Sequence, residues 1–185
     1  MPMPLPLRTD RLVLRRFTAE DTDDVHALDN DPRVMRYLNG GQPVSREVVQ
    51  TRTLPRLMSY DERFPAFGYR AALDRATGRF LGWFEFQGRP GVPGEVELGY
   101  RLLVAAWGRG FATEGARALI RMGFTDLDVE RVVATTMTVN RASRRVLEKA
   151  GLTLVRTFHQ EWPDVIEGAE HGDVEYEVRR AAWRG

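Results

Sequence analysis

The sequence predicts a mixed α+β fold of the α/β class, with a mostly antiparallel twisted central sheet, flanking helices and one parallel crossover. Three features lead to it. A strand-like run opens the chain and passes into helical segments. Three further strand-like runs then follow one another as a meander. After them a glycine-rich turn, WGRGFATEG at Trp107–Gly115, joins a strand to a helix, and the order continues strand, helix, strand, strand.

Composition bounds the rest. At 185 residues the chain is long enough to bury a core and short enough for one domain over 1–185. No apolar run reaches the length of a membrane helix. Met1–Leu7 alternates proline with apolar residues and lacks the basic start and apolar centre of a signal peptide. Lysine and arginine total 27 against 26 acids, so no affinity for nucleic acid or other polyanions follows. Cysteine is absent. That excludes disulfides, a cysteine nucleophile and thiolate metal sites, and it fits a reducing cytoplasm. His26, His159 and His171 show no metal-ligand spacing, so no metal is expected.

The elements follow in order. Arg11–Phe17 alternates as a first strand. Thr18 is placed to cap a helix with acids in its first turn, and Val25 and Leu28 share a face. Asp31-Pro32 opens a second short helix. Ser45–Ser59 predicts a third, capped by Ser45 and carrying Val48, Val49, Leu54, Leu57 and Met58 as its apolar stripe, with a kink or break at Pro55. Phe67–Leu73 and Arg79–Gln87 read as strands joined by a turn ending at Gly78. Gly88–Gly94 is an exposed loop, and Glu95–Val104 is the third strand of the meander. A helix starts near Ala112. Arg131–Thr138 is β-branched and strand-like. Asn140 is placed to cap a helix ended by Gly151. Leu152–Phe158 and Val174–Ala181 are the last strands, with a polar, mobile loop expected over Glu161–Asp173.

A strand, a glycine turn and a helix N-terminus make an anion site, although an ordinary strand-to-helix loop also accommodates two glycines. A P-loop is excluded because no Lys-Ser or Lys-Thr pair follows the last glycine. A dinucleotide fingerprint lacks its third glycine, that position being Thr113. With Asn140-Arg141-Ala142-Ser143 and VLEKAGL further on, and with TDRLVLRRFTAEDTDDV and DPRVMRYL near the start, the turn resembles the GNAT superfamily of N-acetyltransferases. More closely it resembles the RimJ/RimL-type branch, which acetylates protein N-termini and small amines. The resemblance runs over nearly the whole chain.

The resemblance implies the GNAT fold, with splayed middle strands that receive the pantetheine arm of acetyl-coenzyme A. It assigns pyrophosphate to backbone N–H groups of Gly108, Arg109, Gly110, Phe111, Ala112 and Thr113. Pantetheine and the acyl oxygen fall to Arg101 and Leu102, with Asn140 and Ser143 at the next helix start. The family pattern has Gln or Arg where this chain has Trp107, which leaves Trp107 either a core residue or unassigned. Transfer needs a base for the ammonium and an acid for the departing thiolate. Ser143 is the acid candidate, since the position that carries a tyrosine in many members is Leu147. Glu97 is the base candidate, with Glu85 or bound water as alternatives. The expected activity is direct acetyl transfer to the primary amine of a small molecule or a protein N-terminus; a larger acyl group, or a non-catalytic coenzyme A-binding domain, is the alternative. A homodimer is compatible with the resemblance.

Overall fold

The structure, a computed structural model, describes residues 6–59, 66–163 and 166–185. Most of the leading segment at Met1–Leu7 and two residues of the late loop, 164–165, lie outside them. The strands are β1 (Leu7–Arg8), β2 (Leu12–Arg15), β3 (Gly68–Asp74), β4 (Phe80–Gly88), β5 (Glu95–Leu102), β6 (Arg131–Met137), β7 (Thr153–Phe158) and β8 (Asp173–Arg179). They form one eight-stranded sheet in the order β1-β2-β3-β4-β5-β6-β8-β7. All neighbours are antiparallel except β5 and β6. β1 escapes the sequence pattern because two residues are too few to show alternation.

The predicted turn at Gly78 forms as expected. Gly78 adopts φ 72° and donates its N–H to Asp74 O at 2.8 Å. On the first helical stretch, α1 (Thr22–Asp29), the Thr18 cap belongs to a preceding 3-10 turn, where Asp21 bonds back to the Thr18 N–H. α2 (Pro32–Asn39) is capped by Asp31, whose side chain accepts from Arg33 N.

The third predicted helix is continuous but not uniform. α3 (Arg46–Val48) passes through a π-helical turn at Val49–Thr53 into α4 (Leu54–Met58). Leu54 N–H reaches Val49 O, five residues back. Pro55 has no N–H to give Thr51, and the wide turn absorbs the register change that a missing bond would otherwise turn into a break.

Two apolar layers hold these elements on opposite faces of the sheet. On one face α5 (Phe111–Asp126) and α6 (Arg141–Lys149) cover Phe84, Phe86, Val96, Leu98 and Leu102, meeting them with Phe111, Leu119, Ile120 and Leu147. On the other, α1, the π turn and α4 cover Ala71, Phe80 and Trp83 with Val25, Leu28, Val49, Leu54 and Leu57. Two small positions let α5 lie close. A Cβ at Gly115 would run into the Phe84 ring, and one at Gly123 would come within 2.7 Å of Phe86.

Candidate active site

Hydrogen-bond parity along β5 decides which groups meet. Leu103 N donates to Leu81 O, and Arg89 N donates to Glu95 O. The register between them is unbroken, from Gly82↔Leu102 to Gly88↔Val96. Backbone groups of the odd residues Glu97, Gly99 and Arg101 therefore point to β4, and those of Leu98, Tyr100 and Leu102 point toward β6. On β6, Thr138 N donates to Gly172 O in register with the β6–β8 ladder. This leaves Val133, Thr135 and Met137 facing β5.

β5 and β6 pair only over Glu95–Glu97 against Arg131–Val133. Both strands continue beyond that point without pairing. The result is a wedge-shaped gap inside the sheet, with backbone N–H and C=O groups on both walls. At its mouth Trp107 Nε1 donates to Leu102 O at 2.8 Å. Trp107 is 47% exposed, so the core reading of this residue does not hold.

The glycine turn lies where β5 ends. Gly108 and Gly110 adopt φ 69° and 83°, the left-handed region. Gly110 is the N-cap of α5, and no side chain caps that end. The N–H groups of Phe111, Ala112 and Thr113 thus lack intrahelical partners, at the positive end of a 16-residue helix. The turn is clamped from the β1–β2 end. Arg11 Nη1 donates to Arg109 O at 2.9 Å. Glu114 accepts from Thr9 Oγ1 at 2.6 Å, Arg11 N at 2.9 Å and Arg11 Nε at 2.7 Å. Burial alone would raise the Glu114 carboxyl, but those donors hold it below the ordinary range. The Arg109 guanidinium sits 5.0 Å from the centre of the Phe111 ring.

At the start of α6, Asn140 Oδ1 accepts from Ser143 N at 3.2 Å, the capping role its side chain predicts. Ser143 Oγ lies 3.0 Å from the Tyr100 hydroxyl, which also reaches Ser143 O at 3.1 Å. Burial pushes the Tyr100 phenol up, opposed by the bond to Ser143. Tyr100 is the residue the sequence reading missed. The signal was its parity, shared with Leu98 and Leu102 and opposite to Glu97. Leu147 is core.

The two carboxylates lie on the other face. Glu85 pairs in register with Gly99 and Gln87 with Glu97, so Glu85 and Glu97 are diagonal neighbours. Gly99 provides the room, since a Cβ there would come 3.0 Å from Glu85 Oε2. Burial raises the Glu85 carboxyl. A hydrogen bond from Tyr69 opposes the shift and the charge on Glu97 adds to it. Arg101, assigned to the cofactor by resemblance, is occupied: its guanidinium pairs with Asp29 at 2.5 Å and lies over Trp83, and its backbone faces β4 rather than the gap. Leu102 keeps its N–H toward the gap.

The hydroxyl pair and the carboxylate pair thus stand on opposite faces of the sheet, beside the opening between β5 and β6. Above the carboxylate face, Arg36 of α2 pairs with Glu167 at 2.9 Å and ties that helix to the late loop. That loop is partly packed, with Ile166 buried. Among the described residues no group of three or more His, Cys, Asp or Glu gathers as a metal site, and no helix is long and apolar enough to cross a membrane.

Residues 11–153 match the family model described as Acetyltransferase (GNAT) domain. A curated relative, the FsC-acetyl coenzyme A-N(2)-transacetylase of Aspergillus fumigatus, is 35% identical over 96% of this chain and 77% of its own. Among solved structures, a GNAT-family acetyltransferase from Bacillus anthracis superposes with a TM-score of 0.79 at 22% identity, covering 95% of this chain and 98% of that one. RimL, a ribosomal L7/L12 alpha-N-protein acetyltransferase solved with coenzyme A, gives 0.76 at 19% identity over 95% and 97%. At these identities the two structures speak for the fold.

Proposed function

The chain belongs to the GNAT family and is an acyl-coenzyme A-dependent acetyltransferase; on that premise we propose that it acetylates the primary amine of a small molecule, with Glu97 as base and Ser143 as acid. The observation that carries the assignment is the parting of β5 from β6 just past Glu97, with hydroxyls on one face and carboxylates on the other. An acyl thioester in that gap is open to an amine from the carboxylate face, while its sulfur is within the region served by the Ser143 hydroxyl.

The residues suit coenzyme A. The uncapped N–H groups of Phe111–Thr113 and the left-handed turn at Gly108 and Gly110 take the pyrophosphate. The N–H groups of Tyr100 and Leu102 face the gap and take pantetheine carbonyls. Asn140 acts by fixing the start of α6, and Arg101 by fixing α1 to the strand.

Glu97 takes the proton that the acceptor's ammonium must lose. Glu85, more enclosed and bonded to Tyr69, keeps the second position in the carboxyl pair. Ser143 donates toward sulfur as negative charge develops there, an interaction worth most in the transition state. Attack is direct, with no covalent enzyme intermediate, in keeping with a chain that has no cysteine. The small-molecule acceptor is supported by the N(2)-transacetylase relative, which matches along nearly the whole chain. The RimJ/RimL-type motifs keep a protein N-terminus as the acceptor to test against it.

A panel of small primary amines and N-terminal peptides with acetyl-coenzyme A, read by thiol release, tests the reading. On the best acceptor, Glu97→Gln is expected to lower kcat/KM by about 10²–10⁴-fold near neutrality and to recover partly at high pH, where the amine is already neutral. Ser143→Ala is expected to lower kcat with little change in cofactor affinity. A loss of a few-fold that is flat with pH would move the base to Glu85 or water. Turnover on peptides alone would overturn the small-molecule acceptor.

A further inference from the structure

Trp107 is the most exposed of the four tryptophans, with 47% of its surface in water. A large apolar ring left in solvent is usually free to move, but this one has a fixed hydrogen-bond partner. Its indole N–H is bonded to Leu102 O at 2.8 Å, so the ring bends back from the glycine turn to the end of β5. It therefore spans the short interval between the turn and the gap. Neither the pyrophosphate site nor the catalytic groups use it.

Any molecule with its anionic end at Gly108–Thr113 and its tail between β5 and β6 must cross this interval. In coenzyme A the pyrophosphate is followed by a methylene and then by a quaternary carbon that carries two methyl groups. We propose, resting on the acyl-coenzyme A reading above, that Trp107 is a fixed platform for this branched pantoyl segment. The chemistry matches on two counts. The indole face offers broad dispersion contact to methyl groups. Its N–H also satisfies the Leu102 carbonyl, leaving the Leu102 N–H to the next amide of the arm. Because the bond to Leu102 holds the ring in place before binding, little side-chain freedom remains to be lost.

The test uses the full chain, with coenzyme A and ADP as probes; ADP carries the pyrophosphate and lacks the pantoyl arm. Acrylamide quenching of tryptophan fluorescence is measured for the natural protein and for Trp107→Phe, and calorimetry gives the affinities. Coenzyme A is expected to shield an exposed tryptophan from acrylamide, ADP is not, and the shielded component is expected to vanish in Trp107→Phe. Trp107→Ala is expected to weaken coenzyme A binding about tenfold and ADP binding by less than about twofold. If coenzyme A binds but its shielding is no greater than that of ADP, or Trp107→Ala leaves its affinity unchanged, the platform is wrong and the acyl-coenzyme A site stands. If coenzyme A does not bind at all, both are wrong.

Discussion

A carboxyl group that dislikes its surroundings leaves a mark on stability as well as on chemistry. Glu85 is such a group, raised by burial and by the neighbouring charge of Glu97. The folded protein therefore holds its proton more tightly than the unfolded chain does. Its contribution is fully present below the unfolded carboxylate range and is lost as pH rises through the raised value. Glu85→Gln cannot ionise and escapes that loss. The variant is expected to melt above the natural protein at about pH 8, with the difference closing toward about pH 4. Thermal melts across that range check it; a constant difference would mean that the Tyr69 bond, not the charge, governs the site. Residue types at the site were legible in the sequence, but facing was not. Glu97 and Ser143 stand out by chemistry, whereas nothing in the sequence singles out Tyr100, whose hydroxyl lies 3.0 Å from Ser143 Oγ. Arg101 is assigned to pantetheine through its backbone, and strand parity turns that backbone to β4, a facing the residue type alone does not reveal.

Glycines of the turn and of α5 show how one motif carries two unrelated demands. Gly110, in the left-handed region, serves the turn and the N–H groups behind it. Gly115, five residues on, serves the packing of α5 against Phe84. Their substitutions should separate. Gly110→Val is expected to abolish coenzyme A binding in calorimetry while the chain still melts cooperatively. Gly115→Val is expected to cost about 1–3 kcal/mol in denaturant unfolding, because the helix must lift from the ring beneath it. A Gly110→Val chain that binds normally would put the anion site elsewhere. The order of elements was readable because glycine turns, caps and alternation sit within a few residues of what they control. Ser45, Asn140 and Gly78 each act where the sequence put them. The π turn before Pro55 was not readable as such: proline announces a disturbance, and the surrounding packing chooses between a break and a wide turn.

Across the sheet, the parting of β5 and β6 leaves the protein with an interior seam. Six of the seven neighbouring strand pairs are joined along most of the shorter strand, but here two central strands meet over three residue pairs and then separate. A sheet interrupted in its middle transmits order poorly from one half to the other, and on the proposed reading the acetyl donor fills the seam and supplies the missing rungs. The acetyl donor would then act as a removable strand as well as a reagent. Backbone amides of Tyr100, Leu102 and Thr135 are expected to exchange with solvent deuterium well before those of Phe84 or Val132 in the free protein, and to slow together when coenzyme A is added. At about one hundred times its dissociation constant the ligand would raise global stability by about 2.7 kcal/mol. Exchange that slows only at the glycine turn would show a ligand resting on the outside of the seam. Exchange that slows on both walls would mean that the fold completes its sheet each time it binds and reopens it each time it turns over.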